Sequence, residues 1–406
     1  MTGLLLSVIY LSFISLGLPD SLLGAAWPSM YRELNVPVSY SGIISMIISV
    51  GTIVSSLQSD RLTKRLGPGK VTAISVAMTA AALLGFSFSG SFPALCLLSI
   101  PYGLGAGSVD AALNNYVALH YSSRHMSWLH CMWGVGASVG PYIMGYALTR
   151  GSGWNQGYFI VALLQFLLSA ILISSLSLWN TQGKEKEGQI QSPEGTDAEA
   201  PGEEIRGTMD IGPAALSLRQ IFSIPGAKSL ITAFFCYMAL ETTASLWASS
   251  YLTFEKGISS ASAASYAGLF FIGITLGRAI SGFLTMKLSD TSMIRLGGGI
   301  IGLGLISLLL PLGEASSLLG LSLLGLGCAP IYPCIIHSTP VYFGAERSQA
   351  VIGVQMASAY VGTCLMPPIF GLIANHISIA LFPVYIMALL ILMVIMHELL
   401  SKKTAH

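Results

Sequence analysis

The sequence predicts an all-α membrane protein of twelve transmembrane helices, arranged as two pseudo-symmetric bundles of six. Three observations support this fold class. Of the 406 residues, 53% are hydrophobic and only 9% are charged, whereas charged residues make up about a quarter of a soluble globular protein. Apolar stretches long enough to cross a bilayer core of about 30 Å recur twelve times. A polar, acidic segment separates the sixth stretch from the seventh.

Each predicted span is long enough to cross the bilayer as a helix. The spans are residues 4–26, 39–58, 71–91, 94–120, 127–149, 157–179, 227–253, 262–286, 293–312, 317–342, 349–374 and 379–399. The first span contains Asp20 and lacks both a basic region before it and a clear cleavage site. We therefore interpret it as a membrane span and not as a removable signal peptide.

The basic residues predict the orientation, because Lys and Arg are enriched in cytoplasmic loops. If both termini are cytoplasmic, that side holds all of the 19 Lys and Arg residues except Arg32, Arg150 and Lys256 in loops on the other side and Arg278 within a span. We therefore expect a multi-pass plasma-membrane protein, surrounded by the lipid bilayer, with both termini in the cytoplasm. The formal net charge of +1 gives no indication of a nucleic-acid partner.

The acidic segment predicts the domain organisation. Residues 181–215 contain eight of the 18 acidic residues among Gly, Pro, Gln and Ser, with almost nothing to bury. We predict a first six-helix bundle over residues 1–180, a cytoplasmic acidic linker over 181–225 and a second six-helix bundle over 226–406. The stretch from Leu216 to Ile224 is compatible with a short surface helix before the seventh span.

Several motifs recur in the two halves at similar offsets. The pairs are Gly103–Gly105 with Gly325–Gly327, Asp110 with Tyr332 and Asn115 with His337 at an offset of 222 residues, Asp20 with Glu241 at 221, and Pro141 and Gly145 with Pro367 and Gly371 at 226. Two homologous halves around a site near the bilayer midplane are typical of transporters that alternate access by rocking one half against the other.

The fourth span carries polar groups where a membrane helix normally has none. Gly103, Gly107, Asp110 and Asn114 share one face of this helix. A charge at bilayer depth costs about 3 kcal/mol on one scale, so it needs a water-filled cavity, a partner or a proton. We interpret this helix as lining a substrate pathway and Asp110 as the best candidate for proton or cation coupling. The alternative is an acid that only links neighbouring helices.

Two further acids lie in predicted spans. Asp20 follows Pro19, which suggests a helix break, so Asp20 either takes part in coupling or caps the resumed helix. Glu241 shares a helix face with Tyr237. It is either a second coupling site or a salt-bridge partner of Arg278.

The loop after the second span carries a family motif. Its sequence, QSDRLTKRLGPGK at residues 58–70, resembles the signature loop of the major facilitator superfamily, with extra residues before Gly67. The resemblance implies the twelve-helix fold of that superfamily. We assign a role in conformational gating to the loop residues Asp60, Arg61 and Arg65. We assign the same role to Arg278, which lies near a shorter sequence in the second half that is similar to this loop.

The fifth span carries a second motif. LHCMWGVGASVGP at residues 129–141 resembles the fucose, glucose and galactose permease branch of the superfamily, except that Trp133 stands where Phe is usual. This resemblance implies a symporter of a sugar and a cation, with Asp20 and Asp110 involved in sugar binding and proton coupling. The fourth-span acid of that branch is Glu, so the shorter Asp110 leaves the coupling ion open between H⁺ and Na⁺.

Neutral polar and aromatic side chains are the candidates for binding a sugar, whose hydroxyls both donate and accept hydrogen bonds. The candidates are the amides Asn114, Asn115 and Gln355, the aromatic faces Trp133 and Trp247, and the residues His130, Tyr332 and His337. For each, the alternative is a packing residue or, for the tryptophans, an anchor at the membrane interface. Prolines 330, 333 and 340 favour a kink in the tenth span.

Two other functions stay open. The stretch from Gly136 to Gly145 also resembles the antiporter signature of drug exporters, except at Met144. This favours a proton-coupled exporter of amphipathic compounds as the alternative to sugar uptake. A membrane receptor or scaffold is the third possibility, and the two-fold repeat argues against it.

The sequence gives no indication of an enzyme. It has no phosphate-binding glycine loop, no nucleophile elbow and no metal-ligand spacing. We therefore expect neither a catalytic residue nor a metal or other cofactor. We expect an ion gradient across the membrane to drive transport. The six cysteines lie in apolar segments, which predicts free thiols. Separately, we expect the protein to be a monomer.

Overall fold

The computed structural model describes residues 2–120, 123–179 and 218–404, and within these ranges the chain is helical apart from turns and short connections. The helices are α1 (Thr2–Asp20), α2 (Leu22–Glu33), α3 (Ser41–Leu66), α4 (Pro68–Phe88), α5 (Phe92–His120), α6 (Ser123–Thr149), α7 (Gly153–Ser174), α8 (Leu218–Ser223), α9 (Ala227–Phe254), α10 (Ser260–Leu284), α11 (Asp290–Leu309), α12 (Glu314–Cys328), α13 (Ile331–Phe343), α14 (Ala345–His376) and α15 (Phe382–Thr404). Short 3₁₀ turns lie at Val38–Tyr40 and Ile379–Leu381.

Eleven helical segments of the described residues are long and apolar enough to cross a membrane. In this set α1 and α2 form one segment, and so do α12 and α13. The 27-residue helix α6 occupies the position of the predicted fifth span and packs along α1 and α10. Together with α6 these segments correspond to the twelve predicted spans, which confirms the predicted fold class.

Two spans are interrupted where prolines predict it. The first span breaks at Ser21, two residues after Pro19. Because proline has no N–H, the carbonyl of Ser15 loses its helical partner, and the side-chain amide of Gln165 donates to this carbonyl instead. The tenth span breaks at Ala329 and Pro330, where the prolines of this span predict a kink.

The helix contacts repeat in the two halves. Gly103 of α5 lies against the carbonyl of Ile48 in α3, and Gly325 of α12 lies against the carbonyl of Phe270 in α10. The offset of 222 residues that relates the two glycines also relates their two partners. The sequence repeat is therefore a repeat of backbone contacts, in which a small residue allows close approach of two helices.

The first and fifth spans repeat in the same way. Gly136 of α6 lies against the carbonyl of Ile14 in α1, and Gly362 of α14 lies against the carbonyl of Phe235 in α9. These pairs are related by the offsets of 226 and 221 residues found in the sequence. The fifth and eleventh spans thus have equivalent places in two pseudo-symmetric bundles.

Among the described residues, the halves meet mainly along three helix pairs: α2 with α9, α3 with α14, and α6 with α10. Gly24 lies against Ser245, Gly42 against Pro368, and Gly145 against Ser265. We call these three contacts the glycine seam. We call the face at which α1 begins and α15 ends the terminal face; the glycine seam lies toward the other side, which we call the opposite face.

Part of the predicted linker lies outside the described residues. The helix α8 is found within the stretch from Leu216 to Ile224. The acidic stretch itself falls on residues 180–217, which the structure does not describe.

Candidate functional site

Asp20 lies at the helix break of the first span, where α1 ends. It accepts a hydrogen bond from the indole Nε1 of Trp133 in α6, over 2.8 Å. The N-cap position of α2 belongs to Ser21, so Asp20 does not cap the resumed helix. The residue is exposed, although it lies in the middle of a membrane span. Because its partner Trp133 also contacts Arg278 of the other half, we infer that the carboxylate faces the space between the halves.

Arg278 of α10 lies on the same tryptophan. Its guanidinium carbon is 5.2 Å from the centroid of the Trp133 ring, within the range of a cation–π interaction. The predicted alternative of a salt bridge to Glu241 is not found, because no carboxylate oxygen of the described residues lies within 4.0 Å of Arg278. Trp133 therefore connects an acid of the first half with a base of the second.

Asp110 of α5 accepts a hydrogen bond from Nδ2 of Asn114, one helical turn further on, over 2.9 Å. Its charge lies within electrostatic range of Asp20 in its own half and of Tyr332 and Tyr360 in the other half. The remaining amide oxygen of Asn114 is buried and has no hydrogen-bond partner among the described residues. This orphaned acceptor beside Asp110 can accept a hydrogen bond from a bound molecule.

Glu241 of α9 lies on the second-half side of this space. The hydroxyl of Tyr237 lies within hydrogen-bond distance of Glu241 and of the carbonyl of Cys328, at 3.0 Å from the latter. That carbonyl belongs to the last residue of α12, at the break of the tenth span. Tyr237 therefore links the acid of the seventh span to the break of the tenth.

His130 is half-buried, and its ring meets the edge of Phe13 at a centroid distance of 5.8 Å. It lies within electrostatic range of Arg278. Tyr332 is also half-buried and lies within electrostatic range of Arg278 and of Asp110. Both predicted residues therefore lie at the same place between the halves.

Three predicted binding residues lie elsewhere. Trp247 is fully buried and donates its indole N–H to the carbonyl of Pro367 over 3.0 Å, so it offers no face to a solute. Gln355 is fully buried; its Oε1 accepts a hydrogen bond from Thr339, and its Nε2 has no partner among the described residues. His337 is exposed and pairs with Asp290, with 2.7 Å between Nδ1 and Oδ2, near the terminal face. We correct these predictions: the first two side chains lie in the helix core, and the third makes a hydrogen bond at the surface.

The residues assigned to gating divide into two groups. Arg61 and Arg65 line a groove of about 490 Å³ near the terminal face, with apolar walls that include Leu62 and Ile74. Arg278, in contrast, lies at the central site. The side chains of Asp60 and Asn115 fall outside the described part of the chain.

Sequence reasoning missed Tyr360 as part of the site. The offset of 226 residues that pairs Pro141 with Pro367 places Tyr360 opposite Gly134, next to the counterpart of Trp133. The repeat therefore places Tyr360 one residue after the counterpart of Trp133, on the same turn of the eleventh span, and this proximity was the available signal.

We call Asp20, Asp110, Trp133, Glu241 and Arg278, with their polar neighbours, the central site. It combines three carboxyl groups, one guanidinium and an unpartnered amide oxygen. Such a set can exchange protons and can bind a polar molecule. No group of three or more His, Cys, Asp or Glu in the described residues could hold a metal ion.

One family model matches the chain over residues 9–335 and 230–404, and it describes the Major Facilitator Superfamily. Among curated proteins, Bypass of stop codon protein 6 of Saccharomyces cerevisiae is 25% identical over 284 residues, which cover 68% of this chain and 56% of that protein. Synaptic vesicle glycoprotein 2B of Rattus norvegicus is 23% identical over 152 residues, covering 36% of this chain and 22% of that protein. The match thus spans about half the length of the first relative and less of the second.

A solved structure is similar over almost the whole chain. It is a mutant of the peptide transporter POT in complex with sulfate, with a TM-score of 0.75 at 15% sequence identity. The similarity covers 99% of this chain and 95% of that one. At this level of identity it shows a common fold and nothing about a common substrate.

Proposed function

The chain belongs to the Major Facilitator Superfamily and is a membrane transporter of that family, and on this basis we propose that it is a secondary active symporter. It takes up a small polar solute together with a cation, H⁺ in the first place, by alternating access. The side with the termini is the cytoplasm, which the basic residues on that side support, and we place the protein in the plasma membrane.

The observation that carries this proposal is the pair Asp20 and Asp110. Both lie in the space between the halves, within electrostatic range of each other. A carboxyl group favours its protonated form when it is removed from water and its charged form when water or a donor reaches it. Two such groups at the point where access changes sides can carry protons across with the solute.

The glycine seam supports alternating access. The three pairs of the seam close the opposite face, while the exposed Asp20 lies below them. The seam contacts themselves are made by glycine against backbone, proline or serine, so they hold no large side chain. At the same face Tyr31 meets the edge of Phe254 of the other half, and this contact has to break when the halves separate. Rocking of one half against the other would then open the central site to the opposite face.

The solute class that we propose is a monosaccharide. Asn114 offers a free acceptor, Tyr332 and His130 offer further polar atoms, and Trp133 offers a ring. A sugar presents both hydroxyls and an apolar ring face to such groups. The glycines of the exporter-like motif pack against α1 and α10, so this motif is explained by helix contacts and adds no support for export.

Reconstituted protein tests the proposal. Uptake of a panel of labelled monosaccharides is measured in proteoliposomes under a pH gradient, a sodium gradient or no gradient. The variants are wild type, Asp110→Asn and, as a matched control, Asp197→Asn in the acidic segment. We expect one solute to accumulate in wild type and in the control only with a gradient, and Asp110→Asn to equilibrate it without accumulation.

Other outcomes decide against the proposal. Accumulation by Asp110→Asn at the wild-type level would remove Asp110 from coupling. Movement of amphipathic cations in place of any sugar would establish the exporter. The absence of any gradient-driven solute movement would favour a receptor or scaffold.

A further inference from the structure

Arg278 is a charged side chain within a membrane span, and it has no ionic partner in the part of the chain that the structure describes. It lies six residues before the end of α10, or about 9 Å along the helix axis. The residue is half-buried, and no carboxylate oxygen of the described residues lies within 4.0 Å of it. Its close neighbour is the ring of Trp133.

Such a charge is destabilising unless something compensates it. A guanidinium stays protonated under all conditions that proteins meet, so it cannot become neutral. A charged side chain inside a bilayer costs several kcal/mol, and a cation–π contact contributes about 0.5–2 kcal/mol. The tryptophan therefore compensates only part of the cost.

The nearby acids are engaged elsewhere. Asp20 accepts from Trp133, Asp110 accepts from Asn114, and Glu241 accepts from Tyr237. Arg278 itself makes no hydrogen bond to a described residue, so its hydrogen-bonding fork is free of protein acceptors there. A planar guanidinium with free donors matches a carboxylate, which it can bind with two parallel hydrogen bonds.

We propose that Arg278 binds a carboxylate group of the transported solute, so that the substrate is a small hydroxylated monocarboxylic acid, such as a sugar acid, and not a neutral sugar. This inference rests on the transport of a small polar solute proposed above and names its class. One guanidinium among three carboxyl groups suits a single negative charge, whereas a phosphate dianion would be repelled by the acids.

The second end of the solute has its partners on the other half. Asn114 of the first half lies beside Asp110, and its free oxygen can accept from a hydroxyl of the solute. Tyr332 of the second half lies within electrostatic range of both Arg278 and Asp110. A carboxylate on Arg278 and hydroxyls toward Asn114 would connect the two halves through the solute itself.

Matched pairs of ligands test this inference on the purified full-length protein. Binding is measured by calorimetry and accumulation in proteoliposomes, for D-galactose against D-galacturonate and D-glucose against D-glucuronate. L-lactate is included as a carboxylate without a sugar ring, and glucose 6-phosphate as a dianion. We expect the wild type to bind and accumulate an acid of one pair and not its neutral counterpart.

Variants of Arg278 test the contact itself. A hydrogen bond to a charged group contributes enough that Arg278→Gln should weaken binding of the acid by about 10- to 100-fold. Arg278→Lys keeps the charge without the fork and should retain part of the affinity. Arg150→Gln is the matched control, because Arg150 also lies over an aromatic ring, 4.9 Å from the centroid of Tyr146, but in a segment near the opposite face.

The outcomes separate this inference from the proposed function. Accumulation of neutral sugars but not of acids would overturn the inference and leave the symporter in place. Failure of all sugars together with Arg278-dependent binding of L-lactate would overturn the sugar class and support the carboxylate contact. If Arg278→Gln loses all ligands and melts early, the wild-type comparison of acid with neutral sugar decides alone. Binding of glucose 6-phosphate in preference to the acids would also overturn the inference.

Discussion

Trp133 donates its indole N–H to Asp20 over 2.8 Å, and this bond joins the fifth span to the helix break of the first. Gly17 lies against the carbonyl of Trp133 in the same pair of helices, which holds α1 and α6 close together. Arg278, beside the tryptophan ring, belongs to the other half. We therefore expect the bond to Asp20 to persist and the contact with Arg278 to change when the halves move.

Trp133→Phe separates the two contacts, because it keeps an aromatic ring beside Arg278 and removes the N–H that Asp20 accepts. A hydrogen bond to a charged group contributes about 1.5–3 kcal/mol, so we expect gradient-driven accumulation to fall about tenfold or more. Proteoliposome uptake under a pH gradient measures this. Trp128→Phe, at an exposed position of the same helix, should retain wild-type uptake. An unchanged accumulation ratio in Trp133→Phe would show that the bond has no part in coupling.

Asn114→Ala removes both the donor to Asp110 and the unpartnered acceptor beside it. We expect the KM for the solute to rise about tenfold, in line with the loss of one or two hydrogen bonds. Initial rates over a range of solute concentrations measure the KM. Asn155→Ala is the control, since Asn155 donates to the carbonyl of Ser87 in the first half and takes no part in the central site. A wild-type KM for Asn114→Ala would exclude this amide from solute binding.

Gly24→Ala places a methyl group in the glycine seam. A Cβ at this position would lie 2.6 Å from the carbonyl oxygen of Ser245 in the other half, so α2 and α9 have to move apart. We expect the population to shift toward a state open at the opposite face, and uptake to fall several-fold. The distance between spin labels at Arg32 and Lys256 should lengthen.

The matched control for the seam is Gly282→Ala, because nothing lies within 4 Å of a Cβ at Gly282. This variant should show the wild-type label distance and wild-type uptake. Equal label distances in Gly24→Ala and wild type would mean that the seam accommodates a methyl group and does not set the closed state.

Glu398→Gln tests the ion pair that connects α11 to α15. Arg295 binds Glu398 through two hydrogen bonds of 2.7 and 2.8 Å, but the side chains are 54% and 35% exposed. Exposed pairs contribute at most about 1 kcal/mol, so we expect a small loss of stability and unchanged uptake. Thermal unfolding in detergent, compared at low and high salt, measures this effect. A large drop in the unfolding temperature would show that the pair holds the second bundle together.

Much of the fold follows from the sequence, because span length and the position of proline are local properties. The breaks at Ser21 and at Ala329–Pro330 lie where Pro19 and Pro330 predict them. The sequence match of Gly103 with Gly325 also has a structural counterpart. Each glycine lies against a backbone carbonyl of the equivalent helix in its own half. These features need no knowledge of how the helices are rotated.

The site was harder to predict, because a helix that is apolar on all sides does not reveal which face meets the cavity. Glu241 and Trp247 lie in the same span, but a separation of six residues places their side chains about 120° apart around the helix axis. Glu241 consequently lies at the central site, while Trp247 packs into the core beneath Pro367. His337 was predicted to bind the solute only because the repeat aligns it with Asn115. The repeat did not indicate that Asp290 lies close enough to pair with it.

Under the proposed mechanism, the pair of acids in the first half would also determine how the membrane voltage acts on transport. Moving one elementary charge through 100 mV is worth about 2.3 kcal/mol. A monoanion that crosses with one proton carries no net charge, so the voltage neither helps nor opposes it. When both Asp20 and Asp110 deliver a proton, the same solute crosses with one positive charge, and a negative interior drives its accumulation. Whether one or both carboxyl groups deliver a proton per solute would thus decide which driving force acts. With one proton, only the concentration difference of protons drives transport; with two, the membrane voltage drives it as well.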